Sequence, residues 1–425
     1  MENLYDVLIA GGGMSGVLTA SQLLEEHKDW KIAIVDKEAR LGGRLASLNP
    51  EYGSWGYGLN RISTGMYNFF DQRLKCCPGS DDLSAFKIKD DSRFGVLSAG
   101  KVTETSIATV FNEKGGVRDI GGAAAQRDWG RVGALMDTVT NEKKADLPIS
   151  QVFSGTRKSP SAIVLAHLAR IWGVADLWTV SASTLKDKVE EFESSIICGH
   201  WEQALEALLS SYESSGRVDV HLESRISDAQ LEDDVWQLKT TTGRLSAKRL
   251  VIAQSPWEAS LWLPRPLWPA KLIGLVNRVK PTSSVVLVGK RQITDNLELA
   301  ERILIPAENI QVLVDPQAVC FQATIPYELT LQAPEVVKAI KRLRRGRKKL
   351  LASFNGLDLE GEHIALQPVG WGAPLSTSDR KLMKRFKLAD CQSKQLSFCG
   401  DMYGDSVQGD QNIISSISAV SEALQ

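Results

Sequence analysis

Gly11-Gly12-Gly13-Met14-Ser15-Gly16 has the spacing G-x-G-x-x-G and directly follows an apolar, partly β-branched run, Tyr5 to Ala10. Each glycine of such a turn has its own physical task. Gly11 makes the tight turn, Gly13 lets the backbone approach a pyrophosphate, and Gly16 lets a helix and a strand pack closely. Met14 and Ser15 open the helix whose N-terminal N–H groups would receive the phosphate charge. Twenty residues after Gly16, Asp36 ends a second apolar run, Lys31 to Val35, and is followed by Lys37. A carboxylate at that point can bind the ribose hydroxyls of an adenosine half and disfavours a 2′-phosphate, so FAD or NAD is expected before NADP. Gly42-Gly43-Arg44 then permits a second close backbone approach, with a forked guanidinium donor beside it.

Other site chemistries find little support. The five histidines (His27, His167, His200, His221, His363) show no metal-ligand spacing, so no metal is expected. No cysteine pair has C-x2-C spacing and no G-x-S-x-G elbow occurs. Fifty Lys+Arg against 51 Asp+Glu give a net charge of −1, which excludes a broadly basic nucleic-acid binder. The N-terminus lacks the features of a signal peptide, and no apolar run reaches the ~18 residues of a membrane span. With sparse cysteines, a cytoplasmic protein with reduced thiols and no integral membrane segment is expected.

The elements that must position these residues follow from pattern. Tyr5–Ala10 and Lys31–Val35 read as buried parallel strands, with a helix between them. A helical pattern after Gly199-His200 precedes strand-like Val218–Leu222, Arg225-Ile226 and a meander that ends near Ala253 and Pro256. Near the C-terminus, Gln395–Cys399 reads as a strand entering Gly400-Asp401, and Asn412–Leu424 as a helix. Ser159–Val174 and Thr184–Phe192 look like helices of a cap.

In this order of motifs the chain resembles the flavin amine oxidase superfamily, which includes renalase, protoporphyrinogen oxidase and the phytoene desaturases. The resemblance rests on Asp36, Gly42-Gly43-Arg44 and Gly400-Asp401. It implies an α/β fold: a Rossmann-like FAD-binding domain, a parallel sheet with helices, interleaved with a mixed α+β substrate domain. The expected cofactor segments are 1–70, 196–260 and 365–425, and the expected substrate segments are 71–195 and 261–364. The resemblance further implies a backbone contact from Ile226 to adenine and places Asp401 near the ribityl and phosphate region. It also implies a terminal helix aimed at the flavin, where Gln411, Asn412 and Ile413 replace the usual Glu-Gly-Ala. Gly58, Leu59 and Asn60, in a glycine-rich stretch lacking the usual acid, would lie over the flavin face. Trp371, expected in a loop, would be an aromatic wall for the substrate; Cys399 adjoins the flavin approach, where relatives usually place a small residue, which argues against covalent attachment.

The activity implied is oxidation of an amine or other small or lipophilic substrate by hydride transfer to FAD, with electrons passed to O2 or another acceptor. A renalase-like dihydronicotinamide oxidase and a flavin-dependent hydroxylase are alternatives within this class. A non-catalytic GTPase-escort-like binding protein is the alternative outside it.

Two features stand apart from that chemistry. Lys338, Lys341, Arg342, Arg344, Arg345, Arg347, Lys348 and Lys349 place eight basic residues in a twelve-residue window. On a helix these form a solvated face or meet an acidic partner, an anionic membrane surface or a phosphate-bearing substrate. The stretch from Pro256 to Val276 carries Trp257, Trp262 and Trp268 among four prolines, consistent with core, a domain crossing or an apolar entrance.

Overall fold

The computed structural model describes residues 4–45, 61–75, 89–90, 93–106, 147–153, 162, 165–166, 178, 181–182, 195–197, 201–276, 281–292, 299–300, 302–314, 317–326, 331–371, 392–403 and 409–425. At its centre lies a five-stranded, all-parallel sheet of β1 (Val7–Ala10), β2 (Ile32–Val35), β3 (Val218–His221), β4 (Leu250–Ile252) and β5 (Leu396–Phe398). Its spatial order is β5-β4-β1-β2-β3. The inner strands β1, β2 and β4 are short and apolar on both faces because both faces are covered.

Period-two alternation sorts the side chains. Val7, Ile9, Ile32, Ile34 and Val251 face a helical layer, made of α1 (Met14–Glu26), α2 (Thr64–Lys75), α3 (Trp201–Ser214) and α5 (Gly409–Leu424). Leu8, Ala10, Ala33, Val35 and Ile252 face the other way. There they meet a meander of strands Ile226–Glu232, Val235–Thr240 and Arg244–Ala247, together with Trp262, Leu263, Trp268 and Leu272. The tryptophan-rich stretch is therefore core beneath the parallel sheet, and residues 261–276 pack with the segment that precedes them. Trp236 Nε1 donates to the Gln395 carbonyl at 2.8 Å and Trp268 Nε1 to the Leu263 carbonyl at 3.2 Å, so the buried indoles keep their hydrogen bonds.

The first apolar run is not one strand. Leu4–Tyr5 pairs with Ser246-Ala247 in the meander sheet, and the chain changes sheets at Asp6 before β1 begins. The Asp6 carboxylate takes the Lys31 N–H at 2.9 Å and the Lys248 ammonium at 2.8 Å, which fixes that step. The C-terminal helix starts at Gly409, three residues before the sequence pattern suggests. The expected cap helices at 159–174 and 184–192 fall almost entirely outside the described residues.

A second, seven-stranded mixed sheet runs in the order 359–371, 281–291, 318–326, 310–314, 302–305, 93–98, 101–106. The strand Leu359–Trp371 stays paired with Pro281–Arg291 along its length, through the 364/365 position where a domain crossing is expected. One face of this sheet packs on α4 (Ala333–Ser353), through Ile305, Ile310, Phe321, Ala339, Leu343 and Leu350. Gly346 lets α4 sit close, since a Cβ there would come 2.1 Å from Ile310 Cδ1.

The basic window lies on α4, and the fold supplies counter-charges. Arg345 and Lys349 reach Glu308 at 2.7 and 2.5 Å, Arg344 and Arg347 reach Glu362 at 2.5 and 3.7 Å, and Lys338 reaches Glu335 at 2.5 Å. Burial pushes the Glu308 carboxyl up, but the hydrogen bonds from Lys349 and Arg345 outweigh it and hold the group below the usual range.

Two predictions follow from packing and charge. Gly16→Ala would put a Cβ 1.9 Å from the Gly11 carbonyl oxygen, a backbone atom that cannot swing away. The variant is expected to lose at least ~2 kcal/mol of stability in urea denaturation. Glu308 has a depressed folded-state pKa, so its contribution is present above the ordinary value of 4.5 and is lost as pH falls through the folded value. Glu308→Gln should therefore cost about 1–3 kcal/mol at neutral pH, with the gap to the parent protein closing in acid below that range.

Candidate functional site

The glycine-rich turn connects the C-terminal end of β1 to the N-terminus of α1. Gly11 N–H donates to the Val35 carbonyl at 2.8 Å, and its φ of +117° is the backbone that a residue without Cβ adopts freely. A Cβ on Gly11 would also meet Ala253 backbone atoms at 3.0 Å. Gly13 caps α1 and differs in kind. Its φ is −74°, no side chain caps the helix at this end, and a Cβ on Gly13 would find its nearest neighbour among the described residues, Gly43 Cα, 3.9 Å away. Packing among the described residues therefore does not require glycine at position 13, whereas it does at 11 and 16.

The Gly42-Gly43-Arg44 segment folds back on this turn. Gly42 N–H donates to the Gly12 carbonyl at 2.9 Å, and Gly13 and Gly42 form an isolated parallel bridge. Gly42 and Gly43 have φ of +110° and +54°, so both glycines are used conformationally. Met14 is buried and Ser15 half-buried in the first turn of α1 beside them.

Asp36 directly follows β2 and is buried. Its Oδ2 accepts the Gly12 N–H at 2.6 Å and its Oδ1 accepts the Glu38 N–H at 2.9 Å. Burial raises the carboxyl above its usual range despite those two donors, and the nearby Glu258 and Glu38 carboxylates push the same way. Ser224 and Glu223 donate backbone N–H groups to the carbonyls of Asp36 and Glu38. Ile226, buried, opens the next strand two residues on, which brings it beside the Asp36 end of the sheet. Lys37 is held by an ion pair with Glu258 and lies 3.8 Å from Glu38. Its ammonium is thus engaged by the short helix Pro256–Ser260, a partner that sequence spacing could not indicate.

The third contribution comes from the C-terminus. Gly400 has φ of +139°, its N–H donates to Ser416 Oγ at 3.0 Å, and a Cβ there would lie 3.7 Å from Ser15 Oγ. Arg44 Nη2 and Asp401 Oδ2 form an ion pair at 2.8 Å, joining the G-G-R and G-D motifs across more than 350 residues of chain. Asn412 is buried and donates from Nδ2 to the Asp401 carbonyl at 2.8 Å, so it orders that loop. Gln411 is exposed and Ile413 is buried in the helical layer.

Several expectations look different in three dimensions. Cys399 Sγ is fully buried among α1 and the helical layer, where it accepts from Thr19 Oγ1 at 3.3 Å; burial pushes its thiol up to about 12. A thiol so placed is a core group and not a point of covalent attachment. Trp371 is the last residue of a strand and pairs with Pro281, where a loop is expected. Gly58, Leu59 and Asn60 lie outside the described residues. Among the described residues no group of His, Cys, Asp and Glu could hold a metal ion, and no helix is long and apolar enough to cross a membrane. The supporting contacts that sequence reasoning missed are Gln254, which accepts from Trp262 Nε1 at 2.9 Å and whose carbonyl takes Tyr403 OH at 2.9 Å, and Ser416 under Gly400. The Trp-rich composition was the one signal pointing to the first of these.

Residues 9–75 match the family described as NAD(P)-binding Rossmann-like domain. No curated protein matches the chain in sequence. Among solved structures, one assigned as a protoporphyrinogen oxidase from Exiguobacterium sp. 255-15 is similar at 14% identity, with a TM-score of 0.65 over 100% of this chain and 99% of that one. Cyclohexylamine oxidase from Brevibacterium oxydans IH-35A is similar at 13% identity, TM-score 0.63, over 99% of this chain and 100% of that one. A CLA-producing fatty acid isomerase from P. acnes is similar at 11% identity, TM-score 0.62, over 98% of both chains. The chain therefore has, along its whole length, the fold of these proteins: a Rossmann-like α/β domain with a parallel sheet, combined with a mixed sheet.

Proposed function

We propose that the protein is an FAD-dependent oxidoreductase of the flavin amine oxidase superfamily, oxidising an amine or other small or lipophilic substrate and passing the electrons to O2 or another acceptor. The observation that carries this reading is the convergence of four motifs from two distant parts of the chain at one end of the parallel sheet: Gly11–Gly16, Asp36 and Gly42–Arg44 from the first 45 residues, and Gly400-Asp401. The oxidase neighbours support it; the fatty acid isomerase shows that the fold by itself does not fix the reaction.

The residues fit a dinucleotide. Gly13 leaves open ground at the start of α1, where uncapped backbone N–H groups suit a pyrophosphate. Asp36, oriented by Gly12 and Glu38, would accept the ribose hydroxyls of the adenosine half, and the Ile226 backbone would border the adenine. Arg44 would donate to a phosphate, Asp401 would border the ribityl chain, and the N-terminus of α5, with Gln411, Asn412 and Ile413, would lie near the isoalloxazine. Bound FAD would supply the two-electron acceptor. The chain's own part would be to bind and orient it and to place the positive end of α5 where reduction builds negative charge. In this reading residues 261–276 belong with the cofactor domain, and the seven-stranded sheet, with its strand ending at Trp371, forms the floor of the substrate domain.

The purified protein should be yellow and contain FAD; a colourless protein that takes up no FAD overturns the reading. Gly13→Ala separates fold from site. It should melt like the parent, since nothing among the described residues opposes its Cβ, and yet bind FAD at least ~10-fold more weakly. Anaerobic mixing with amines, dihydronicotinamides and polyenes, followed by the bleaching of the flavin band, identifies the electron donor.

Asp36 gives a pH signature. Ribose binding needs the carboxylate, and the carboxyl is raised above the ordinary 3.8, so FAD affinity should begin to fall on acidification at a higher pH than an ordinary aspartate would dictate. Asp36→Asn should bind more weakly at neutral pH by about 1–3 kcal/mol and lose that acid limb. A variant with parental affinity removes the carboxylate from the site.

A further inference from the structure

The basic helix α4 has no part in the site described above. It is 21 residues long, about 30 Å, and its inner face is fixed by Ala339, Leu343, Gly346 and Leu350 on the seven-stranded sheet. Pro334, Lys338, Lys341, Arg345 and Lys348 recur on α4 at intervals of four and three, and all are exposed, so they form one outward stripe, with exposed Leu331 just ahead of the helix. The pairing partners do not neutralise that stripe towards solvent. Glu308 is 6% exposed, whereas its partners Arg345 and Lys349 are 57% and 46% exposed, so the carboxylate lies beneath and the cations outside. The same holds for Glu362 beneath Arg344, at 28% and 57%. Eight cations on the helix meet three carboxylates among the described residues, which leaves five positive charges in excess.

At the N-terminal end the stripe becomes apolar. Leu331 is 75% exposed and Val337 47% exposed, next to Pro334. A rigid, flat-lying helix with a cationic outer face and exposed apolar side chains at one end suits a surface that offers phosphates and an apolar layer together. Nucleic acid offers the first without the second.

We propose that the outward face of α4, with Leu331 and Val337 at its end, docks the protein on an anionic phospholipid bilayer. The cations meet headgroup phosphates, and the two apolar side chains enter the boundary of the acyl layer. The attachment is peripheral and reversible, and the near-neutral net charge of −1 confines it to this face. Lys341 and Lys348 matter most, because their charge is outward and neither ammonium is drawn to a carboxylate of the helix surroundings described above.

The test uses the full-length purified protein and flotation with phosphatidylcholine vesicles, with and without phosphatidylglycerol. Binding is expected only to the vesicles containing phosphatidylglycerol, and is expected to fall steeply with salt. Lys341→Glu combined with Lys348→Glu should reduce it about tenfold or more with an unchanged melting temperature, since both side chains are exposed. Leu331→Ser should weaken the same binding while leaving its salt dependence in place. Equal binding to neutral vesicles, parental binding by the double variant, or retention on duplex nucleic acid without any on vesicles overturns the proposal.

Discussion

The approach of α1 to the backbone of the first glycine is the constraint on which the rest of the site depends. The Cβ that Gly16 lacks would lie 1.9 Å from the Gly11 carbonyl oxygen, so helix and turn touch through main chain alone. That contact sets where the first turn of α1 points. It also leaves Gly12 free to donate to Asp36 and to receive Gly42, and it brings Ser15 close to Gly400. Three motifs are thus referenced to one backbone contact. The glycines share a spelling but not a cause: two are demanded by packing among the described residues and one is not.

The part of the fold legible in the sequence is the part built by short-range physics. Strand, glycine turn, helix and second strand occupy consecutive residues, and Asp36 follows β2 as the run Lys31–Val35 suggests. The division of Tyr5–Ala10 between two sheets was not legible, because it depends on Asp6 meeting Lys31 and Lys248, and Lys248 is 242 positions away. The tryptophans were legible as core, but their place beneath the parallel sheet was not. Proline punctuation suggests a crossing loop, while Trp262 and Trp268 satisfy their indole N–H groups internally and fill the underside of the parallel sheet. The basic window read correctly as a helix with a solvent face, but its pairing with Glu308 and Glu362 needed the turn at 306–308 and the strand from Leu359 to be brought beside it.

Two buried carboxylates show how environment assigns opposite roles to one functional group. Glu308 lies under two flexible cations whose hydrogen bonds overcome the cost of burial, so it stays ionised and ties a helix to a turn. Asp36 has backbone donors but, among the described residues, no cation bonded to it, because the adjacent Lys37 turns to Glu258. Its carboxylate is held in position yet incompletely stabilised, which suits a group that gains from a further donor.

The ion pair between Arg44 and Asp401 has a consequence for synthesis. The central strand β1 leaves the ribosome well before its neighbour β4, which follows some 240 residues later, with β5 nearly 150 after that. Until then one edge of β1 has open N–H and C=O groups, an invitation to wrong pairing. Sealing the outer edge of β4, placing Gly400 and seating α5 all wait for residues 396–425, so the sheet and the site close in the same late, long-range event. A chain that stops short of β5 lacks more than a tail. It lacks the strand that tells a nascent Rossmann sheet where to end.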